Sequence, residues 1–212
     1  MFTRAEIKQQ AKEQLKGNVW MLLLCAFVMV VIATGATMIG AFIPFVGSLA
    51  ATFLVVAPLS YGLYVVYLNV TYGERPQVGK LFEGFQNFGP VVLLYFLIWL
   101  FTMLWTLLFV IPGIIKTLSY SMAYYVLAEN PQMSANEALN ESKAIMDGHK
   151  MDLFVLYLSF IPWMLLGSIT LGIAYIYVMP YMQLTITNFY HKIKRPSTAV
   201  PAQDVVTDST VM

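Results

Sequence analysis

Long apolar stretches separate four short islands of charge in this chain. Of the 12 lysine and arginine residues only Lys116 lies outside the islands, and all 11 acidic residues lie inside them. The islands are the N-terminus, the loop after about residue 70, the loop after about residue 128 and the C-terminal tail. A helix needs about 20 predominantly apolar residues to cross the hydrocarbon core of a bilayer. The sequence therefore predicts an all-α, polytopic transmembrane bundle.

The apolar stretches divide best into six spans, which we place at residues 18–42, 48–70, 88–108, 112–128, 151–171 and 173–190. With six spans, all four islands fall on one side of the membrane, which the positive-inside rule assigns to the cytoplasm. Five spans would put basic residues of the third island or of the tail outside. We therefore expect a membrane domain over residues 18–191 and a plasma-membrane protein with both termini cytoplasmic.

Residues 1–17 are expected to form a cytoplasmic amphipathic helix, which Thr3 and Glu6 start with a capping box. Its apolar residues recur every four positions: Ile7, Ala11 and Leu15. The basic stripe beside them consists of Arg4, Lys8, Lys12 and Lys16. Such a helix lies in the membrane interface with its basic residues toward anionic lipid, or it packs under the bundle and only connects to the first span. The pattern leaves both interpretations open.

The other islands also carry short amphipathic segments. Residues 78–85 follow the helical period, and residues 134–147 form an inner-face helix with a capping box at Ser134 and Glu137 and a stop at Gly148. Their acidic residues favour packing against the bundle over lipid binding. Residues 192–212 have no helical period and are expected to be a disordered cytoplasmic tail.

Three prolines stand in a repeated V-x-P pattern at residues 56–58, 110–112 and 178–180. Each pattern lies in the second span of a pair, which suggests three pseudo-repeated helical hairpins with cytoplasmic amphipathic helices. Internal repeats are common among transporter folds. Pro58 and Pro180 lie inside spans and remove backbone hydrogen bonds, so both should kink their helices.

Catalytic and cofactor motifs are absent from the sequence. It contains no H-E-x-x-H, G-x-S-x-G, Walker or C-x-x-C pattern. Its two histidines and scattered acids do not have the spacing of a metal site. The predicted span interiors contain no Asp, Glu or Arg, which argues against an ion-coupled antiporter. We therefore expect no enzyme activity, no cofactor, no bound metal and, with a net charge of +1, no nucleic-acid partner.

Lys116 is the only cation inside a predicted span. Ser119, Tyr120 and Tyr124 follow it at i+3, i+4 and i+8, on the same side of one helix. Together they are a candidate site for an anionic lipid headgroup or solute, although Lys116 alone would also serve as an anchor at the outer surface. Gln183 and Asn188 are expected to form helix–helix hydrogen bonds. The many tyrosines near span ends suggest an aromatic belt.

A family resemblance rests on the segments IPGIIK at 111–116, LSYSMA at 118–123, LAENP at 127–131 and SANEA at 134–138. These segments resemble the signature of a bacterial integral-membrane family known as domain of unknown function 975, and the resemblance extends over about residues 1–193. It implies a bacterial inner-membrane protein without an assigned activity, and it offers no site residues to transfer. Tyr124 stands where the family pattern has proline, which predicts a straighter fourth span.

These features favour a membrane-resident structural or lipid-interacting protein without catalytic activity, with a role in envelope homeostasis. Charge reversal at Lys8 and Lys12 should then change its association with anionic lipid. The alternative is a transporter or channel for a small, anionic solute, for which Lys116→Leu would abolish flux. The expected partners are membrane lipids, a second copy of the chain or another membrane protein.

Overall fold

The computed structural model describes residues 4–43, 46–108, 110–170 and 172–194, with the side chains of 108, 110 and 111 left out. This part of the chain is helical and contains no strand, which confirms the all-α prediction. The α-helices are α1 (Arg4–Leu15), α2 (Val19–Gly40), α3 (Val46–Ala51), α4 (Ala57–Thr71), α5 (Glu83–Gln86), α6 (Phe88–Leu108), α7 (Val110–Tyr120), α8 (Ala123–Glu129), α9 (Ala135–Ile145), α10 (Lys150–Leu158), α11 (Ile161–Ile169) and α12 (Tyr175–Ile193). A 3₁₀ segment, Val78–Phe82, precedes α5.

Four helical segments in the described part of the chain are long and apolar enough to cross a membrane. They are Val19–Gly40, Val46–Thr71, Phe88–Leu107 and Lys150–Ile169. They coincide with the first, second, third and fifth predicted spans. The second joins α3 to α4, and the fourth joins α10 to α11.

The fourth and sixth predicted spans take a different form. Residues 112–128 are divided between α7 and α8 by a turn at Ser121 and Met122. There the Ser121 hydroxyl donates to the Leu118 carbonyl oxygen at 2.8 Å, a bond that competes with the helical pattern. The expectation that Tyr124 straightens this span is therefore wrong, because the break lies just before it.

Helix α12 is a single helix of 19 residues, but its mean hydropathy is too low for it to be counted with the four apolar segments. Its polar residues lie inside the protein: Thr185, Thr187 and Asn188 are buried. Hydropathy therefore underestimates a helix that is shielded by its neighbours. By length and hydropathy, the described residues contain four helical segments that could cross a membrane, and the predicted count of six spans is unconfirmed.

The apolar face of α1 is packed into the bundle. Ile7 joins a core cluster built mainly from α8, α9 and α12, while Ala11 and Leu15 join a second cluster with α2 and α4. All three side chains have at most 1% of their surface exposed. Of the two interpretations that the sequence left open, the packing of the apolar face follows the second. This packing concerns only the apolar face, and the basic stripe lies beside it.

Helix α9, which the sequence predicts as an inner-face helix, begins with the predicted capping box. The Ser134 hydroxyl accepts from the Glu137 N–H at 3.3 Å, and the Glu137 carboxylate accepts from the Ser134 N–H at 2.8 Å. Gly148 follows with a φ of +82°, a conformation that glycine adopts without strain. The predicted capping box at Thr3, and the tail from residue 195, lie outside the described residues.

A π-helical stretch, Thr52–Val56, precedes Pro58. The Ala57 N–H reaches the carbonyl oxygen of Thr52, five residues back, so the helix widens by one residue immediately before the proline. Pro180 lies inside α12, as expected. The two predicted kinks themselves stay predictions.

Candidate functional site

The four residues predicted around Lys116 do not converge on one site. The Lys116 ammonium lies 5.0 Å from the ring centre of Trp105 on α6. Ser119 is buried, and its hydroxyl donates to the Ile115 carbonyl oxygen at 2.8 Å. Tyr120 and Tyr124 instead line an internal cavity to which neither Lys116 nor Ser119 belongs. The turn between α7 and α8 accounts for Tyr124, because it breaks the i+8 register that a single helix would have kept.

The internal cavity, which we call the tyrosine cavity, has a volume of about 220 Å³. Its lining residues are Tyr64, Ile98, Thr117, Tyr120, Ser121, Tyr124, Tyr125, Tyr157, Gln183 and Ile186. The rings of Tyr64 and Tyr124 are stacked, with centres 4.9 Å apart and planes 6° apart. Tyr125 meets Tyr64 edge-on at 5.0 Å. Helices α4, α6, α7, α8, α10 and α12 each contribute at least one side chain to the lining of this cavity.

The hydroxyl groups of the tyrosine cavity fall into two classes. The Tyr125 hydroxyl accepts from the Gln183 amide at 2.9 Å and from the Thr187 hydroxyl at 3.2 Å. Within the described residues, no hydrogen bond is made by the hydroxyls of Tyr64, Tyr120, Tyr124 and Tyr157. The cavity is thus lined by four tyrosines whose hydroxyl groups can each donate and accept a hydrogen bond.

A larger groove runs between α6 and α7, and we call it the α6–α7 groove. Its volume is about 710 Å³, and its lining residues are Tyr95, Ile98, Trp99, Thr102, Met103, Thr106, Leu107, Thr117 and Tyr124. Ile98, Thr117 and Tyr124 line both the groove and the tyrosine cavity, so the two spaces are adjacent there. Among the described residues, the Thr102 hydroxyl is buried in this region without a hydrogen-bond partner. Leu107 is 79% exposed, so the groove opens on the outer surface of the bundle.

The basic residues of α1 have different environments. Arg4 pairs with Asp152 at 3.3 Å, and the Lys8 ammonium lies 4.7 Å from the ring centre of Phe160. Lys12 and Lys16 are exposed, and neither forms an ion pair with another described residue. The Lys12 and Lys16 charges are therefore available to a ligand.

The expected polar contacts of α12 are present. Besides the Gln183 bond to Tyr125, the Asn188 amide donates to the Gln14 side-chain oxygen at 2.6 Å, and the Gln14 amide donates back at 3.2 Å. These bonds connect α12 to α8 and to α1. They are helix–helix contacts of the kind that the sequence predicts.

A second polar group, which we call the Glu129 cluster, joins the ends of three helices: Tyr72, Glu129, Tyr190, His191 and Lys194. The Glu129 carboxylate accepts from Tyr72, from Tyr190 at 2.7 Å and from Lys194 at 2.7 Å. The Lys194 ammonium also donates to the Tyr72 hydroxyl at 2.9 Å. Because Tyr72 follows α4, Glu129 ends α8 and Lys194 follows α12, these three ends lie together.

The Glu129 cluster keeps its ion pair charged at neutral pH. Burial alone would raise the pKa of Glu129, but the hydrogen bonds it accepts outweigh burial and hold the pKa below its ordinary value. Burial would lower the pKa of Lys194, but its bonds to Glu129 and Tyr72 outweigh burial and raise that pKa. The pair is mostly shielded, with 18% of the Glu129 side chain and 28% of the Lys194 side chain exposed.

His191, just beyond the end of the sixth predicted span, should make stability fall in mild acid. Burial and the nearby Lys194 charge lower its pKa from 6.5 to about 4, and the Glu129 carboxylate only partly opposes them. Between these two pH values the unfolded chain binds a proton that the folded protein does not. The free energy of unfolding therefore decreases as the pH falls through this window.

The measurement is the thermal unfolding midpoint in detergent between pH 7 and pH 4. His191→Asn removes this titration and keeps a side chain that can bond to Thr71, whose hydroxyl lies 2.6 Å from the His191 Nε2. The variant should show a smaller decrease in midpoint than the wild type. An identical pH slope in both proteins would contradict the assignment to His191.

No group of three or more His, Cys, Asp or Glu side chains that could hold a metal ion occurs within the described ranges. His191 contacts Thr71 and the rings of Tyr72 and Tyr190 instead.

Several residues of these sites were missed from the sequence or given another role. Tyr64 was not singled out from the other tyrosines, yet it lines the tyrosine cavity. Glu129 was counted only as part of a charged island. The signal for Glu129 was its position, since an acid that directly follows an apolar span is held close to the ends of neighbouring spans.

Comparison with known proteins gives one family. The family model described as "Protein of unknown function (DUF975)" matches residues 1–119 and 107–197. No curated protein and no solved structure matches the chain.

Proposed function

The chain belongs to the DUF975 family of proteins of unknown function, and we propose that it is an integral protein of the bacterial plasma membrane that binds anionic lipid at its inner face. The proposal gives it a structural, lipid-interacting role in the envelope and no catalytic activity of its own. Membrane lipids are its proposed partners. The position of Lys12 and Lys16 relative to α2 carries the proposal.

Lys16 lies three residues before Val19, where a 22-residue apolar helix begins. Helix α1 cannot swing away from this point, because Ile7, Ala11 and Leu15 are buried in the bundle. The two exposed lysines are thus fixed within about two helical turns of the proposed membrane surface. Trp20 is 84% exposed at the same level, and tryptophan is enriched at the membrane interface. Basic residues held there attract anionic headgroups by about 1 kcal/mol each.

The proposed topology keeps six spans and both termini in the cytoplasm. Helix α12 and the α7–α8 pair, each of 19 or 20 residues, would extend over roughly 30 Å at 1.5 Å per residue. This is enough to cross the core and bring their last residues, with Glu129 and His191, to the proposed cytoplasmic surface. The Glu129 cluster supports this topology because it joins the ends of the second, fourth and sixth spans. The Arg4–Asp152 pair likewise joins the N-terminal helix to the start of the fifth span. We retain the three-hairpin pseudo-repeat as part of this proposal.

Charge reversal at Lys12 and Lys16 should remove a preference for anionic lipid near Trp20. The structure makes this pair a cleaner choice than Lys8 and Lys12, because the Lys8 ammonium packs on Phe160. The test uses W99F/W105F/W163F protein, in which Trp20 is the remaining tryptophan, in bilayers of brominated phosphatidylglycerol or brominated phosphatidylcholine. Quenching should show a preference for phosphatidylglycerol that falls by roughly tenfold in K12E/K16E.

The matched control is K12R/K16R, which keeps both charges and should keep the preference. An equal preference for phosphatidylglycerol in the wild type and in K12E/K16E would contradict the proposal. So would failure of the protein to remain in membranes after alkaline extraction. We do not extend the proposal to solute transport, because Lys116 lies against Trp105 and not among the residues that line the tyrosine cavity.

A further inference from the structure

The tyrosine cavity and the α6–α7 groove have opposite chemistry. The cavity is lined by Tyr64, Tyr120, Tyr124 and Tyr157, whose hydroxyls form no hydrogen bond within the described part of the chain. Such unpaired polar groups are satisfied by water or by a ligand. The groove is lined mainly by apolar and aromatic side chains, with Trp99 and Met103 along its wall.

The occupant of these adjacent spaces has to be uncharged. None of the described residues that line the cavity or the groove carries a charge. Lys116 lies over the ring of Trp105 and Lys143 over the ring of Tyr120, but neither lysine lines either space. A charged headgroup here would lose its hydration without gaining a lining counter-ion. Uncharged hydroxyl or carbonyl groups, in contrast, match the unpaired tyrosine hydroxyls.

The surroundings of the α6–α7 groove indicate that an apolar chain lies in it. Helix α6 lies within an apolar segment long enough to cross a membrane, and the groove opens on the exposed side of that segment beside Leu107. In a bilayer this opening faces hydrocarbon chains. The groove, at about 710 Å³, lies within the range of about 300–1,000 Å³ that ligand pockets span and has room for an extended chain. The smaller cavity, at about 220 Å³, has room only for a compact head.

We propose that the two spaces form one site for an uncharged amphiphile that enters sideways from the membrane. Its hydroxyl or carbonyl head bonds to Tyr64, Tyr124 and Tyr157, and its chain lies in the α6–α7 groove. Two sources share this chemistry: a monoacyl- or diacylglycerol, and an isoprenoid quinone. The inference rests on the proposed function only in requiring a protein that is inserted in the membrane.

Trp99 lines the groove and reports on its occupancy. In W20F/W105F/W163F protein, reconstituted in nanodiscs, brominated monoacylglycerol or a short-chain quinone should quench Trp99 in a saturable manner. Brominated phosphatidylglycerol should quench without saturation, as a bulk lipid does. Saturation by the glycerol lipid alone assigns that source, and saturation by the quinone alone assigns the other.

Tyr64→Phe with Tyr124→Phe keeps both stacked rings and removes two hydroxyls, so affinity should fall by roughly tenfold. Thr117→Phe provides a second variant, because Thr117 is exposed at the junction of the two spaces and a larger ring there should block the chain. The control is Tyr177→Phe, at an exposed tyrosine outside both linings.

Two results would overturn the site: quenching that never saturates for either uncharged probe, or unchanged affinity in both the double variant and Thr117→Phe. A failure of this kind leaves the lipid preference at Trp20 intact and does not affect the proposed function. Loss of the Lys12- and Lys16-dependent preference, with saturable quenching of Trp99 retained, would instead remove the proposed function and keep the site.

Discussion

Gly62→Ala should prevent the protein from reaching its native stability. A methyl group at Gly62 would lie 2.0 Å from the Leu81 carbonyl oxygen, closer than side-chain contacts ever come. The 3₁₀ segment is held on its other side as well, because a methyl group at Gly84, on the following helix, would lie 2.1 Å from the Pro58 carbonyl oxygen. We expect a loss of about 3 kcal/mol or more in the free energy of unfolding. Thermal unfolding in detergent, with yield of monodisperse protein, measures it.

Gly35→Ala is the matched control for this substitution. Gly35 lies inside α2, and nothing approaches its missing side chain within 4 Å. Alanine has the higher helix propensity, so this variant should match the wild type or exceed it by up to about 1 kcal/mol. Equal stability of Gly62→Ala and Gly35→Ala would show that α4 and the 78–86 segment are not in close contact.

Glu129→Ala should destabilise the inner face of the bundle by roughly 3 kcal/mol. The variant removes the acceptor of three hydrogen bonds and leaves the Lys194 ammonium, 28% exposed, without its counter-ion. A second change, Lys194→Met, should recover part of the loss, because it removes the uncompensated charge. The free energy of unfolding of the single and double variants gives the coupling between the two groups.

Glu83→Ala is the control, because the ion pair of Glu83 with Lys80 is expected to contribute little to the free energy of unfolding. Its bond to Lys80 is short, at 2.6 Å, but both side chains are about one-third exposed. Such surface pairs contribute up to about 1 kcal/mol. A loss in Glu129→Ala no larger than that in Glu83→Ala would mean that the Glu129 cluster does not hold the three helix ends together.

The positions of the helices could be predicted well from the sequence. The third span was placed at residues 88–108 and is α6 over the same residues, because a long apolar run bounded by polar residues fixes both ends. Helix α9 was recognisable from Ser134 and Glu137, since a capping box is a local contact between residues three apart. Local signals of this kind need no knowledge of the tertiary structure.

The rotation of each helix about its own axis could not be predicted. In a membrane both the interior and the lipid are apolar, so the pattern of apolar residues does not tell which face is buried. Tyr64 was therefore not singled out and Tyr124 was grouped with Lys116, although the two rings stack inside the bundle. The sequence also gives no strong signal for the break at Ser121, so the separation of Lys116 from Tyr124 could not be predicted.

Native mass spectrometry of the protein released from nanodiscs of its own membrane lipids tests the central proposal most directly. The account predicts that the wild type retains anionic lipid and that K12E/K16E retains clearly less, while K12R/K16R behaves as the wild type. Wild-type protein that emerges without anionic lipid, or retains the same amount as K12E/K16E, would contradict it.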